Sequence, residues 1–142
     1  MKVLNSIIVL IIISIGLSCD SDDDTINKTC EEKIIVSSET YLNAPDDHLN
    51  INAVRIEGNC LIIDFGSSGC DGSTWELKLL DADVILESYP PQRNIRLSLK
   101  NMELCDAYFS KEIAYDISEL QVGGNKVILN IKGYDEKVLY EY

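Results

Sequence analysis

Histidine is nearly absent from this sequence, His48 being the only one. That excludes metal centres built on several imidazoles and leaves a histidine-assisted nucleophile one place to find its base. His48 follows Asp46-Asp47 in a polar run, where a solvated loop side chain is the ordinary outcome. Basic residues are scarce as well, with 12 Lys and Arg against 24 Asp and Glu and a formal charge of −12. Arg93, Arg96, Lys100, Lys111 and Lys126 are spread singly, so the clustered cations that grip a phosphate backbone are missing and nucleic acid is not an expected partner. An acidic surface suits solubility, cations or a basic protein instead. No C-x-x-C pair is present, which removes the usual zinc spacing. Gly66-Ser67-Ser68-Gly69 lacks the G-x-S-x-G spacing of a nucleophile elbow. The apolar run Ile7 to Ile13 falls short of the roughly 20 residues a spanning helix needs.

That short run has a different use. Met1-Lys2 supplies a positive charge ahead of it, and Ser14-Ile15-Gly16 follows it, which is the layout of a secretory signal. The order Ile15-Gly16-Leu17-Ser18 before Cys19 resembles the lipobox of bacterial lipoproteins, with Gly16 where that family usually has Leu. The resemblance implies a signal peptide over residues 1–18 and a lipid on Cys19, hence a membrane partner through the anchor. Ser21-Asp22-Asp23-Asp24 resembles the acidic export signal of Bacteroidetes-type lipoproteins, which implies an outer-membrane protein exposed at the cell surface. Read from the residues alone, the same acids make a solvated, self-repelling tether over residues 19–29. Asp24-Thr25-Ile26 resembles the O-glycosylation sequon of the same bacterial group and nominates Thr25. These resemblances cover residues 1–24. The remainder is similar to the small uncharacterised lipoproteins of that group, a similarity that brings no activity with it.

With Cys19 assigned to lipid, Cys30, Cys60, Cys70 and Cys105 remain. An even number in an exported chain predicts two disulfides, and four cysteines allow three pairings. Cys30 with Cys60 and Cys70 with Cys105 is the favoured one, because Cys70 and Cys105 each sit in a loop just ahead of a strand.

Residues 30–142 form a body of ordinary single-domain size. Its apolar pattern repeats every two residues rather than every 3.6, which predicts strands. The first covers Lys33 to Ser37, and Ser38 to Asn50 follows as a polar loop. Asn52 to Glu57 and Cys60 to Phe65 flank Gly58-Asn59, a hairpin signal, and the second of these strands is apolar on both faces and so predicted to be central. After the glycine-rich loop Gly66 to Ser73, Trp75, Leu77 and Leu79 mark a core face. Asp81-Ala82-Asp83 is read as a turn, Tyr89 to Arg93 as a proline-stiffened loop, and Ile95, Leu97 and Leu99 as a half-buried strand. Phe109 to Ile117, Val127 to Ile131 and Val138 to Tyr142 complete the pattern. About eight short strands without a helix predict an all-β fold, an antiparallel β-sandwich with immunoglobulin-like shape.

No constellation for catalysis emerges, so the chain is read as a non-enzyme. Loop acids could offer calcium oxygen ligands at Asp46-Asp47, Asp71 or Asp81 with Asp83, but none follows the EF-hand spacing, and no cofactor is expected. Tyr89 and Arg93 are the binding candidates, an aromatic surface for a sugar ring or a protein with a guanidinium beside it for a carboxylate. The function these features support is a lipid-anchored, non-catalytic interaction or accessory module with a protein or glycan partner. The alternatives are an inhibitor of a basic enzyme such as lysozyme and, more remotely, a hydrolase.

Overall fold

Gly58, at a φ of 59°, reverses the chain between two strands that pair antiparallel from Glu57 with Cys60 to Asn50 with Gly66. Glycine adopts that left-handed conformation without the Cβ clash other residues meet. Around this hairpin a computed structural model describes residues 30–142. The signal peptide, Cys19, the run Ser21-Asp22-Asp23-Asp24 and Thr25 lie outside the described residues.

In chain order the elements are β1 (Glu32–Lys33), β2 (Ile35–Val36), α1 (Ser38–Asn43), β3 (Asn50–Glu57), β4 (Cys60–Gly69), β5 (Glu76–Leu86), β6 (Gln92–Lys100), β7 (Ala107–Asp116), a 3-10 turn (Ser118–Leu120), β8 (Lys126–Ile131) and β9 (Val138–Glu141). They form a four-stranded sheet in the order β1-β7-β4-β3 and a five-stranded sheet in the order β2-β5-β6-β8-β9. Leu61, Ile63, Phe65 and Tyr115 of the first sheet share one buried cluster with Leu79, Ile95, Leu97, Val127, Leu129 and Tyr140 of the second. The two sheets therefore close on a single core, in which each fully buried side chain of this size contributes about 1.5–3 kcal/mol. β4 lies inside the first sheet and also buries Cys60 and Ile62 on its outer face, against Ala114 and Cys30. The apolar run Cys60-Leu61-Ile62-Ile63 reflects that double burial.

The all-β expectation holds, but the sheets are mixed, which corrects the antiparallel reading. β1 runs parallel to β7, β2 to β5, and β6 to β8. The first two parallel pairs arise because the predicted strand Lys33 to Ser37 divides between the sheets, with Ile34 buried at the crossing. The third arises because the chain leaves β6 for β7 in the other sheet and then returns, and such a crossover permits parallel pairing.

Three local readings also change. Residues 38–43 are helix rather than loop: Ser37 caps α1, its Oγ accepting the Thr40 N–H at 3.1 Å. The Asp81 to Asp83 segment is a bulge within β5 rather than a turn, with Asp83 at a φ of 56° and its N–H donated to Asp81 Oδ1 at 2.7 Å. β4 continues through Gly69, so the loop after it starts later than the glycines suggest.

The helix explains why β6 is buried on both faces. Arg96 and Ser98, on the face away from the core, are covered by α1 and the segment after it. Arg96 donates to the carbonyls of Tyr41 (2.8 Å), Ala44 (2.8 Å) and Pro45 (3.1 Å), and Ser98 Oγ donates to Pro45 O at 2.6 Å. A helix end leaves carbonyls without partners, and a guanidinium fork satisfies them.

Candidate interaction surface

The two disulfides sit at opposite ends of β4. Cys60 opens the strand and is bonded to Cys30, while Cys70 follows its last residue and is bonded to Cys105. These are the favoured pairs. The Cα atoms are 5.6 Å apart in the first bridge and 4.8 Å in the second. The described chain enters at the Cys30 pole, and the connection between β6 and β7, from Asn101 to Asp106, lies at the Cys70 pole.

That connection is held from several directions. Glu103 reaches into the turn after β4, where successive backbone N–H groups point inward. Its Oε2 accepts the N–H of Cys70 (2.6 Å), Gly72 (2.9 Å) and Asp71 (3.2 Å), and its Oε1 accepts the Thr74 hydroxyl (2.9 Å) and N–H (3.3 Å). Converging amides of this kind make an anion nest, here occupied by the protein's own carboxylate. Desolvation opposes the charge on Glu103, but the donors from Gly72, Thr74 and Cys70 outweigh it and hold the carboxyl down to about 2.

The nest has close walls. A Cβ on Gly69 would meet Glu103 Oε2 and the Trp75 indole, and Gly72 sits at a φ of 68° with Lys111 against it. Lys111 Nζ donates to Gly72 O at 2.5 Å and lies 5.0 Å from the centre of the Trp75 ring, which in turn packs on Phe65. Asn101 fixes the near end of the same connection. Its N–H donates to Asp47 Oδ2 (2.7 Å), its Nδ2 to Ser68 O (2.7 Å), and its Oδ1 accepts the Glu103 N–H (2.9 Å).

Met102 and Leu104, on either side of Glu103, are 75% and 95% exposed. Beside Leu104 a recess of about 280 Å³ is lined by Asp47, His48, Ser68, Asn101 and Asp106. His48 is exposed there, and its carbonyl accepts the Ser67 hydroxyl at 2.7 Å. Sequence reasoning missed Met102, Glu103 and Leu104. The available signal was an apolar-acid-apolar triplet just ahead of a cysteine, out of step with the alternation of β6.

The binding candidates nominated from the sequence, Tyr89 and Arg93, do not line this recess. Tyr89 is 96% exposed, next to the cis Tyr89-Pro90 bond. Arg93 is buried and turned into the protein, a correction to its reading as a surface guanidinium. Its Nε and Nη2 donate to Asp81 Oδ2 (3.0 Å) and Oδ1 (2.6 Å), and Asp81 is fully buried. The alternation that buries Ile95 and Leu97 buries Arg93 too, and the Asp81 bulge supplies its partner. The acids considered for calcium have structural engagements. Asp46 pairs with Lys132 and Arg96, Asp47 holds Asn101, and Asp71 accepts the Ser73 N–H at 2.8 Å. Among the described residues no group of three or more His, Cys, Asp or Glu could hold a metal ion, and no helix is long and apolar enough to cross a membrane.

No family model and no curated protein matches the chain. Solved structures do share its fold. A protein of unknown function (DUF1344) from Bacteroides vulgatus aligns over 78% of this chain at 14% identity with a TM-score of 0.53. A NigD-like immunity protein from Bacteroides caccae aligns over 76% at 11% identity with a TM-score of 0.57. The chain spans only 56% and 57% of the lengths of those two proteins. At such identities the likeness shows the fold alone.

Proposed function

We propose that this chain is a non-catalytic interaction module, anchored in the outer membrane by lipid on Cys19 and directed to the cell surface by Ser21-Asp22-Asp23-Asp24. The observation that carries the reading is the polarity of the domain. The chain enters at the pole of the Cys30–Cys60 bridge, and the opposite pole displays a loop fastened by a second bridge and by Glu103. In this reading the loop that the second bridge and Glu103 hold is presented at the pole opposite the first described residue. Glu103 holds a loop, and Arg93 with Asp81 fixes a bulge.

The fold it shares with a protein described as a NigD-like immunity protein is compatible with an accessory or immunity-type role. The partner in this reading is a protein or a glycan. Two measurements test it: detergent partitioning of Cys19→Ser cells, in which the protein is expected to leave the membrane fraction, and protein and glycan arrays read with the soluble Cys19→Ser chain. Unchanged partitioning would contradict the anchor, and blank arrays would contradict the module.

A further inference from the structure

We infer that the Asn101 to Asp106 loop and the recess beside it form the docking surface for a basic protein. In this arrangement Met102 and Leu104 enter an apolar pocket of the partner, and a Lys or Arg of the partner enters the recess between Asp47 and Asp106. The inference rests on the interaction-module reading and names its surface and the chemistry of its partner.

A single exposed leucine needs no explanation, because folded proteins leave much apolar surface in water. The difference here is that the two exposed side chains stand on backbone that is already fixed. The Cys70–Cys105 bridge, the donors to Glu103 and the three hydrogen bonds of Asn101 hold the loop from both ends. Binding through a loop that is ordered beforehand avoids the entropy cost of ordering it on contact. Buried apolar anchors within a polar rim are the usual centre of a protein interface.

Charge selects the partner. Asp47 and Asp71 engage backbone N–H groups, and neither they nor Asp106 form an ion pair among the described residues. The nearby cations are engaged: Lys111 by Gly72 O and the Trp75 ring, Lys100 by Glu76 at 2.6 Å, and Lys132, close to Asp47 and His48, by Asp46 at 2.5 Å. With a net charge of −12 on the chain, an acidic partner is repelled and a basic one is drawn in. Position agrees, because Cys30, the first described residue, lies at the opposite pole. Among the other exposed apolar residues, Val84, Ile85, Leu86 and Tyr89 gather at the end of β5 and in the connection to β6, and Tyr89 serves as an internal control.

The test uses the chain carrying Cys19→Ser and three basic proteins as ligands: egg-white lysozyme, ribonuclease A and cytochrome c. Binding to at least one is expected, weakened by about tenfold or more in Met102→Ser/Leu104→Ser. Asp47→Asn/Asp106→Asn is expected to flatten the salt dependence, and Tyr89→Ser to leave affinity unchanged. Failure to bind all three, or an equal loss in Tyr89→Ser and the loop variant, overturns the inference. A complex that maps to the Tyr89 pole overturns this surface while leaving the module reading in place, whereas blank arrays remove that reading itself.

Discussion

Cys60 and Cys70 bracket β4, so the bridge that each makes marks a different pole of the domain. At about 3.3 Å per residue the strand separates them by roughly 30 Å. The two bridges close similar spans, with sequence separations of 30 and 35, and on loop entropy alone each stabilises the fold by about 4 kcal/mol. Their local effects differ. Replacing Cys70 and Cys105 by serine is expected to speed hydrogen exchange at the Cys70 to Thr74 amides, whereas replacing Cys30 and Cys60 is expected to spare them. Equal acceleration in both double variants would show that the poles are not independent.

Glu103 gives the far pole a pH signature. Its folded value of about 2 lies below the ordinary glutamate value of 4.5, so its contribution is fully present above about 4.5 and is lost as pH falls toward 2. Asp46, Asp71, Glu76 and Asp116 are also held below their ordinary values, so the informative quantity is a difference. The Tm gap between the parent and Glu103→Gln is expected to narrow across that window. Parallel curves would mean that the nest does not stabilise the carboxylate.

Gly69→Ala reaches the same nest without removing a charge. The added Cβ would take the space of Glu103 Oε2 and press on Trp75. Its hydrogen-exchange pattern is expected to match that of Glu103→Gln, with faster exchange at Cys70 and Gly72. A pattern like the parent's would show that the walls of the nest yield.

Arg93 and Asp81 are expected to behave as a buried pair. Arg93→Met strands a carboxylate in the core and is expected to cost about 3–5 kcal/mol in urea unfolding. Adding Asp81→Leu is expected to recover part of that loss, since an apolar pair of similar volume often substitutes for a buried ion pair. A double variant no better than the single would show that Asp81 is needed for the bulge itself, through the Asp83 N–H.

Arg96→Lys keeps the charge but loses the planar fork that reaches the carbonyls of Tyr41, Ala44 and Pro45. A loss of about 1–3 kcal/mol is expected, with faster hydrogen exchange concentrated in α1. Unchanged exchange there would assign the stability of the helix to Ser37 and its contact with β5.

The sequence made the hairpin at Gly58-Asn59 and the central place of β4 legible because both depend on neighbours in the chain. The parallel pairs were not legible, since strand direction follows from which sheet the chain visits between β6 and β8. α1 was hidden by its length, six residues being too few to show a helical period. Arg93 was readable in part: it shares the alternation of Ile95 and Leu97, and Asp81 shares that of Leu77 and Leu79, which places both on core faces. Glu103 was not readable, because its donors lie some 30 residues away and matter only once the turn points their N–H groups inward.

The most direct test of the docking surface is a ¹⁵N-¹H titration of the labelled Cys19→Ser chain with whichever of the three basic proteins binds it. Shifts concentrated at Met102 to Asp106 and at Asp47-His48, and small at Tyr89 and along β9, are the expected result. Shifts centred on Tyr89 or the Cys30–Cys60 pole would contradict the claim that this protein meets its partner through the loop that Glu103 holds.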